Sequence, residues 1–484
     1  MRRILTLVAA LLVSMTAFAK LELRQPCSDG MVLQQRTAAL VWGKADPGCR
    51  VTVAPSWSRH KYAARADADG NWEVAVQTPA ASYEPHTLKI SAGRERLVIR
   101  DVLVGEVWFA SGQSNMEMPI RGFYGCPVEG AADVLTAAPL RERVRMFKVP
   151  RARSYEPLAE VEGEWWCADA TTVAEMSATA FFFARKLNEA LDVPVGILFS
   201  AYGGSKVESW LPQEVVRTYP DVPVDSAAVE ALPYEYFSPY MMYNAMVNPV
   251  KGYTVKGFIW YQGCSNVGAE AVYAERLQKL VSVWRADWGD ADARLPFYQV
   301  EIAPYRYGDP LEGARLRQAQ HDAAKQMANG GIVVTNDLVR SFEIDQIHPA
   351  RKREVGERLA YLALHRDYGL ERVACQSPEA VRAYLAPEGP FAQPGTVCVE
   401  LADCPDGLDR SLEIEGLEIA GADGVFYPVR EVRMFGNTMY VRSESVPQPR
   451  TVRYGWGSFK PGNLHAISGL PLVPFERVIE LKNI

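Results

Sequence analysis

Strongly apolar runs alternating with helical segments are the feature that most constrains this chain. Residues 102–110 and 255–260 are almost continuously apolar, and residues 331–335 form a shorter run. Such runs are typical of strands that are buried on both faces of a parallel sheet. Apolar residues at helical spacing occupy residues 178–191, 273–284 and 312–327. Strands that alternate with helices predict an α/β domain with a parallel sheet over residues 101–368.

The flanking regions have a different pattern, with short β-rich runs separated by turns. On the N-terminal side these runs are residues 39–42, 51–53 and 72–76. On the C-terminal side they are residues 397–401, 412–414, 439–442 and 451–454. A chain of 484 residues is too long for one hydrophobic core. We therefore expect a small β-sandwich at residues 20–100 and a second β-rich domain at residues 369–484.

The first nineteen residues are predicted to be a secretory signal peptide. Arg2 and Arg3 precede an apolar stretch over residues 4–13, and Ala17 and Ala19 supply the small residues of a cleavage site. The apolar stretch is shorter than the roughly 20 residues that cross a bilayer, so no membrane insertion is expected after cleavage. We expect a secreted or periplasmic protein, cleaved after Ala19.

Composition limits the partners and cofactors of the chain. The formal net charge of −6 argues against nucleic acid, whose binding needs a dense basic surface. Export makes disulfides possible among the eight cysteines, and Cys398 and Cys404 are close enough in sequence to form a local pair. No metal-binding spacing of Cys or His and no phosphate-binding glycine loop in a suitable context is present, so neither metal nor cofactor is expected. The oligomeric state cannot be predicted.

Ser114 is the candidate nucleophile, because it directly follows the apolar strand predicted at residues 102–110. Ligands of open α/β sheets bind beyond the carboxyl ends of the strands. A serine hydroxyl needs a base, and the chain has six histidines. Five of them fall in the β-rich flanks or within helices: His60, His86, His321, His365 and His465. His348 remains, in a loop directly before a helix that is predicted to start near Ala350.

Asp345 lies three residues before His348, within reach of the imidazole in the same loop. A carboxylate in that place would select the ring tautomer and stabilise the imidazolium that forms during reaction. Taken alone, an Asp-x-x-His segment is explained equally well by a surface turn. The order Ser114, Asp345, His348 on an α/β scaffold favours a catalytic triad.

Four segments of this chain resemble the sialate O-acetylesterase family. They are residues 112–116 (GQSNM), 203–205 (GGS), 260–266 (WYQGCSN) and 345–349 (DQIHP). Three flanking segments are also similar to the family: residues 27–34 (CSDGMVLQ), 243–246 (YNAM) and 469–475 (GLPLVPF). The resemblance therefore spans nearly the whole chain after the signal peptide.

The resemblance implies a flavodoxin-like hydrolase domain of the SGNH (GDSL-like) type and hydrolysis of O-acetyl groups on a carbohydrate through an acetyl-serine intermediate. Ser114 would attack the ester carbonyl, His348 would act as base and then acid, and Asp345 would orient it. The oxyanion would be held by the backbone N–H of Ser114, a glycine N–H from 203–204, with Gly204 preferred, and an amide side chain. Gln262 and Asn266 are both candidates for that amide.

Cys264 departs from the pattern of the sialate O-acetylesterase family, which usually has Glu at this position. A thiol accepts hydrogen bonds only weakly, so loop positioning, substrate preference or rate is affected. Cys264 as nucleophile is disfavoured, because no second histidine lies in its segment. Acetylated sialic acid, xylan and other glycans remain competing substrates, and a non-catalytic glycan-binding protein is the alternative class. A lipase is less supported, because no amphipathic lid segment is evident.

Other residues are weaker candidates for substrate contact. The aromatic run over residues 181–183 lies in a predicted helix and is expected to be core. Trp260 and Tyr261 are as consistent with core packing as with a pocket wall. Further candidates for a sugar or a carboxylate are Trp210, Arg315 and Arg340.

Overall fold

A computed structural model describes residues 20–137, 139–387, 393–409, 413–429 and 432–480, with only the backbone described for residues 140–142. The predicted signal peptide, residues 1–19, lies outside the described residues. Within the described part of the chain, no helix is both long and apolar enough to cross a membrane.

The N-terminal region is built from short, mostly antiparallel strands. They are β1 Glu22–Leu23, β2 Val32–Gln34, β3 Ala38–Lys44, β4 Arg50–Pro55, β5 Tyr62–Arg65, β6 Asn71–Gln77 and β7 Ser82–Ala92. The strands β1, β3 and β6 form a separate three-stranded sheet. Along β6 buried and exposed residues alternate, as in a strand with one face on a core. The three strands predicted in this region lie within β3, β4 and β6.

The central sheet is mixed, with a parallel core. Its strands are β8 Glu95–Gly112, β9 Leu140–Lys148, β10 Trp165–Ala168, β11 Val195–Ala201, β12 Gly257–Tyr261, β13 Phe297–Val300 and β14 Gly330–Val333. These seven follow one path of an eleven-stranded sheet in the order β10-β9-β11-β8-β12-β13-β14, and along this path β10 alone is antiparallel to its neighbour; β2, β4, β5 and β7 complete the sheet. The first half of β8 pairs with β7 and the second half with β11 and β12. The predicted domain boundary at residue 100 therefore falls inside one continuous strand.

Helices cover both faces of this sheet. The α-helices are α1 Ser114–Glu117, α2 Ala131–Leu135, α3 Ala178–Leu191, α4 Gln213–Val216, α5 Ser226–Glu230, α6 Glu270–Asp287, α7 Glu312–Gln326 and α8 Lys352–Arg366. Short 3₁₀ helices are Val173–Glu175, Val207–Trp210, Glu235–Phe237, Cys264–Asn266 and Ser341–Glu343, and a π-helix spans Tyr243–Val247. The helix pair α3 and α8 packs in one hydrophobic core and the pair α6 and α7 in another. The three predicted helices correspond to α3, α6 and α7.

The C-terminal region forms two four-stranded antiparallel sheets around a third core. Its strands are β15 Glu379–Leu385, β16 Val397–Ala402, β17 Leu417–Ala420, β18 Phe426–Pro428, β19 Val432–Phe435, β20 Thr438–Val441, β21 Thr451–Tyr454 and β22 Phe475–Val478. Three of the four strands predicted in this region are found. In the fourth, residues 412–414, Leu412 lies outside the described residues, and Glu413 and Ile414 are not in a strand.

Neither Cys398 nor Cys404 is in a disulfide, so the predicted local pair of these two residues is wrong. The two side chains lie in different surroundings. Cys398 is buried on β16 between Tyr384 and Tyr440, whereas Cys404 lies in a turn beside Gly407. Proximity in sequence does not bring two thiols together when one of them belongs to a strand whose direction is fixed by its neighbours.

The strands β11, β8 and β12 end side by side, and this edge positions the candidate site. Gly112 at the end of β8 is in register with Ala201 of β11 and Tyr261 of β12. The chain leaves β8 towards one side of the sheet and later returns to build the other side. Such a reversal of strand order opens a crevice at the carboxyl ends of the strands.

Candidate active site

Ser114 begins the short helix α1, immediately after β8. Gly112 has φ +140°, and a Cβ at this position would lie 2.2 Å from the carbonyl oxygen of Tyr261, so only glycine fits. The turn is held on β12, since Gln113 donates its N–H to the Tyr261 carbonyl (3.0 Å) and accepts the Gly263 N–H on its side chain (2.8 Å). Among the described residues, the N–H of Ser114 has no hydrogen-bond acceptor.

His348 lies in the loop that follows β14, and this loop is joined to α1. The Asn115 side chain donates to the carbonyl of Ile347 at 3.0 Å. The ring of Phe123 packs edge-on against His348, with centroids 5.2 Å apart. The Nε2 atom of His348 is buried and has no hydrogen-bond partner among the described residues, so it is not bonded to Ser114 in this conformation. Its Nδ1 atom faces the Cys126 thiol at 3.8 Å.

A buried lysine, Lys352, contributes to the electrostatics around His348. Its ammonium donates to Asn115 Oδ1 (2.7 Å) and to the Pro349 carbonyl (2.9 Å), which links α1 to the histidine loop a second time. Burial lowers the pKa of Lys352 to about 7. Burial, and then the charge of Lys352, lowers the pKa of His348 to about 4. A neutral imidazole with an unpartnered Nε2 can accept a proton.

Asp345 does not contact His348 in this structure. Its carboxylate is exposed and accepts from the Arg306 guanidinium at 2.6 Å. The contact predicted from the Asp-x-x-His spacing is therefore absent, because a charge-assisted pair with Arg306 holds the carboxylate. Within the described residues, the Cys126 thiol is the neighbour of Nδ1 instead.

Gly203 and Gly204 form the turn after β11, next to the serine. A Cβ on Gly203 would lie 3.3 Å from the Ser114 Cβ, which places this turn against the candidate nucleophile. The Gly203 N–H is already used, because it donates to Glu117 Oε2 at 2.9 Å. The Gly204 N–H has no acceptor among the described residues, and φ at Gly204 is +81°. Of the two glycines, Gly204 is the one with a free donor.

Gln262 and Asn266, the predicted amide donors, belong to a buried polar network below this turn. Gln262 donates to the Ser205 carbonyl (3.1 Å) and to Asn266 Oδ1 (2.7 Å), so both of its amide hydrogens are used. Asn266 donates to the carboxylate of Glu208, whose other partner is Arg276 at 2.6 Å. In this conformation Gln262 has no hydrogen left for an oxyanion. Asn266 has a single partner group for its two hydrogens and is the remaining amide candidate.

Cys264 is not prepared to act as a nucleophile. Burial raises the pKa of its thiol above the ordinary value, which keeps the sulfur protonated and unreactive. A hydrogen bond with Tyr307 and, after it, the charge of Lys352 lower this pKa by smaller amounts. Among the described residues, no group of three or more His, Cys, Asp or Glu is arranged to hold a metal ion.

The weaker sequence candidates are placed in the core or in surface ion pairs. Buried side chains include residues 181–183, Trp210, Trp260 and Tyr261, so these pack in the core. Arg315 pairs with Glu270 and Asp309, and Arg340 pairs with Glu129. The two arginine charges are therefore compensated, whereas the Trp260 N–H and the Tyr261 hydroxyl are buried without a hydrogen-bond partner among the described residues.

Comparison with known proteins decides the family. The family described as "Carbohydrate esterase, sialic acid-specific acetylesterase" matches residues 104–365, more than half of the chain. The chain belongs to this family. The sialate O-acetylesterase of Mus musculus is 27% identical over 403 residues, which cover 72% of this chain and 74% of the relative. The human sialate O-acetylesterase is 26% identical over 386 residues, 72% of each chain.

A solved structure of a carbohydrate acetylesterase from Xanthomonas citri is similar over almost the whole chain. The TM-score is 0.81 with 32% identity, and the match covers 94% of this chain and 99% of that one. Both the sequence match and this structural match therefore point to an esterase that acts on carbohydrates.

Within this carbohydrate esterase, sequence reasoning missed Asn115 and Lys352. Asn115 stands inside the GQSNM segment, and Lys352 follows His348 by four residues. The only sign of Lys352 in the sequence was its place four residues after His348, at the start of the predicted helix. Its burial beside Asn115 could be found only in the folded chain.

Proposed function

We propose that this protein is an exported serine O-acetylesterase of the SGNH type that removes acetyl groups from a carbohydrate. The observation that carries the proposal is unused hydrogen-bonding capacity around Ser114. The N–H groups of Ser114 and Gly204 lack acceptors among the described residues, and the buried Nε2 of His348 lacks a donor. Buried polar atoms are usually paired, so an unpaired set around one serine favours a site that is completed by substrate.

In the proposed reaction, the Ser114 hydroxyl adds to the acetyl carbonyl while its proton passes to His348 Nε2. The oxyanion accepts hydrogen bonds from the N–H groups of Ser114 and Gly204, with the Asn266 amide as a third donor. His348 then protonates the departing sugar hydroxyl, and the acetyl group remains on Ser114. Water, deprotonated by His348, hydrolyses this ester and releases acetate. No cofactor enters these steps.

Asp345 is proposed to orient His348 during this cycle. The imidazolium formed when Ser114 is deprotonated needs an acceptor at Nδ1, and a thiol at 3.8 Å is a weak one. Asp345 is in the same loop and has to leave Arg306 to reach it. Contacts of this kind are often incomplete without substrate.

The substrate is proposed to be an O-acetylated glycan, either sialic acid or another sugar such as acetylated xylan. The division of the chain at residues 20–100, 101–368 and 369–484, and signal cleavage after Ala19, belong to the same proposal. A glycan-binding protein without turnover is the second candidate, because Cys264 replaces a carboxylate that is usual in the family.

The decisive experiment compares the mature chain with its Ser114→Ala variant. Acetate release from acetylated sialic acid and xylan is expected to fall at least about 10⁴-fold, with an unchanged melting temperature. A fluorophosphonate probe should add mass at Ser114 in the parent protein only. Full esterase activity in Ser114→Ala would rule out the serine mechanism, and sugar binding without any turnover by the parent would favour the second candidate.

A further inference from the structure

We propose that exposed aromatic side chains on two sides of Ser114 bind pyranose rings of a neutral sugar chain. The enzyme would then act on acetyl groups of an oligosaccharide in preference to a single acidic sugar. The inference rests on the proposed esterase function and specifies its substrate class.

The distribution of exposed aromatic residues is the first observation. Among the Phe, Trp and Tyr side chains that the structure describes, the exposed ones are Tyr124, Tyr234, Phe342 and Phe435. Phe435 lies on β19 in the C-terminal region. The other three lie in loops that carry or cover site residues. An exposed ring adds little to folding stability, so three at one site indicate a surface used for binding.

The first aromatic surface lies on the Gly204 side. Tyr234 and Tyr236 stack with their ring centroids 4.9 Å apart and an interplanar angle of 7°. The Tyr236 ring covers Gly204, since a Cβ at Gly204 would lie 2.5 Å from it. The adjacent Gly203 touches Ser114. Tyr234 is 54% exposed, and the Phe237 ring meets it edge-on at 5.5 Å, so part of this stack is open to solvent. Aromatic faces are well suited to the apolar faces of pyranose rings.

The second aromatic surface lies on the His348 side. Tyr124 is fully exposed, next to Phe123, whose ring packs against His348. Phe342 is 76% exposed in the short helix Ser341–Glu343. That segment is joined to Arg306, which donates its N–H to the Ile344 carbonyl. In the sheet, β11 and β14 lie on opposite sides of β8, so the two aromatic surfaces flank Ser114.

The arginines on the Gly204 side of the site are not available to an acidic ligand. Two arginines near Ser114 are each paired with a carboxylate that the proposed reaction does not use: Arg151 with Glu117, and Arg153 with Glu235. A guanidinium that already holds a carboxylate is not free to bind a second one from an acidic sugar. Stacking on aromatic rings does not require a charge on the ligand.

The test uses Tyr234→Ala and Phe342→Ala, with Phe435→Ala as the matched control on a distant surface. Substrates are acetylated xylotriose, 9-O-acetylated sialic acid and ethyl acetate, a small ester without a ring to stack on the aromatic surfaces. We expect each of the two site variants to raise KM for acetylated xylotriose about 5- to 10-fold, with kcat and the small-ester kinetics unchanged. The control should match the parent enzyme on all three.

Unchanged KM for the trisaccharide, equal losses on all substrates, or a parent enzyme with higher kcat/KM for acetylated sialic acid would overturn the inference. Calorimetric titration with unacetylated xylotriose separates it from the esterase proposal. Weaker binding by the two site variants supports the aromatic surfaces whether or not acetate is released, and unchanged binding excludes them.

Discussion

Two polar regions meet at the Gly203–Gly204 turn, and they differ in how completely their hydrogen bonds are satisfied. On one side, the N–H groups of Ser114 and Gly204 and the Nε2 atom of His348 have no partners among the described residues. On the other side, Gln262, Asn266, Glu208 and Arg276 are joined in an internal network.

The difference shows how one turn can be held rigidly on one side and still present unpaired hydrogen-bond donors on the other. The network fills the space beneath the turn and ties it to the 3₁₀ helix Val207–Trp210, because Asn266 also accepts the Val207 N–H at 3.0 Å. A fully satisfied buried network stabilises a single arrangement. The atoms above the turn then remain unpaired in a fixed geometry, which is what stabilisation of a developing charge requires. Both regions carry polar residues, but the serine, the histidine and the two backbone donors of the proposed reaction all belong to the unpaired one, and the network contributes the Asn266 amide alone.

The largest effect that tests this comparison concerns Asp345. Asp345→Asn is expected to lower kcat/KM about 10³-fold or more, because His348 loses the carboxylate that stabilises its charged form. Arg306→Gln is the matched control, since it removes the other half of the same ion pair. It should leave the activity within about threefold of the parent, as it frees Asp345 to contact His348. If the two variants have the same kcat/KM, Asp345 acts only as the ion-pair partner of Arg306 and does not orient His348.

A substitution in the internal network is expected to lower the stability of the protein and to change its rate of catalysis much less. Glu208→Gln leaves Arg276, whose side chain is 5% exposed, with only part of its charge compensated by Asp221. We expect the free energy of unfolding to fall by about 3 kcal/mol, with kcat/KM within about tenfold of the parent. Urea denaturation measures the free energy of unfolding, and hydrolysis of a small ester measures kcat/KM.

Glu160→Gln is the control for this variant, because Glu160 also pairs with an arginine, Arg24, but is 64% exposed. This substitution should lower the free energy of unfolding by less than about 1 kcal/mol. A large loss of kcat/KM in Glu208→Gln without a loss of stability would place the network within the catalytic machinery.

The smallest expected effect is a change in the pH profile of Lys352→Met. Its charge helps to lower the pKa of His348 to about 4, so removing it should raise that pKa and move the acid limb of kcat/KM upward by about one unit. Activity at pH 5, relative to pH 8, should therefore decrease. Lys352→Arg keeps the charge, so the acid limb of its pH profile should stay in place. Both variants lose the contacts of Lys352 to Asn115 and Pro349, and both should therefore have a lower kcat. An unshifted limb in Lys352→Met would show that burial alone sets the pKa of His348.

The same lysine gives a stability signature with a definite sign. In the folded chain its pKa is about 7, against 10.5 when it is not buried, so the unfolded chain binds more protons between these values. The free energy of unfolding of the parent should rise with pH across this window, and that rise should be smaller in Lys352→Met.

Much of the architecture was predictable because it depends on local patterns. The continuous apolar runs became the buried strands β8, β12 and β14, and α3 has the bounds predicted from its apolar spacing. The course of β8 was not predictable, since the apolar pattern does not show that this strand pairs first with β7 and then with β11. The pair of Cys398 and Cys404 failed for a similar reason, because spacing along the chain says nothing about strand direction.

At the candidate site, the sequence by itself determined which groups are available: Ser114 after a buried strand, a single histidine in a suitable loop, and glycines and amides after neighbouring strands. Only the tertiary structure decided how those groups are used. It occupied both hydrogens of Gln262, left the Gly204 N–H free, paired Asp345 with Arg306, and buried Lys352 between Asn115 and the histidine loop. The physical reason is that hydrogen bonds and burial depend on neighbours distant in sequence, whereas strand and helix patterns depend on neighbours close in sequence.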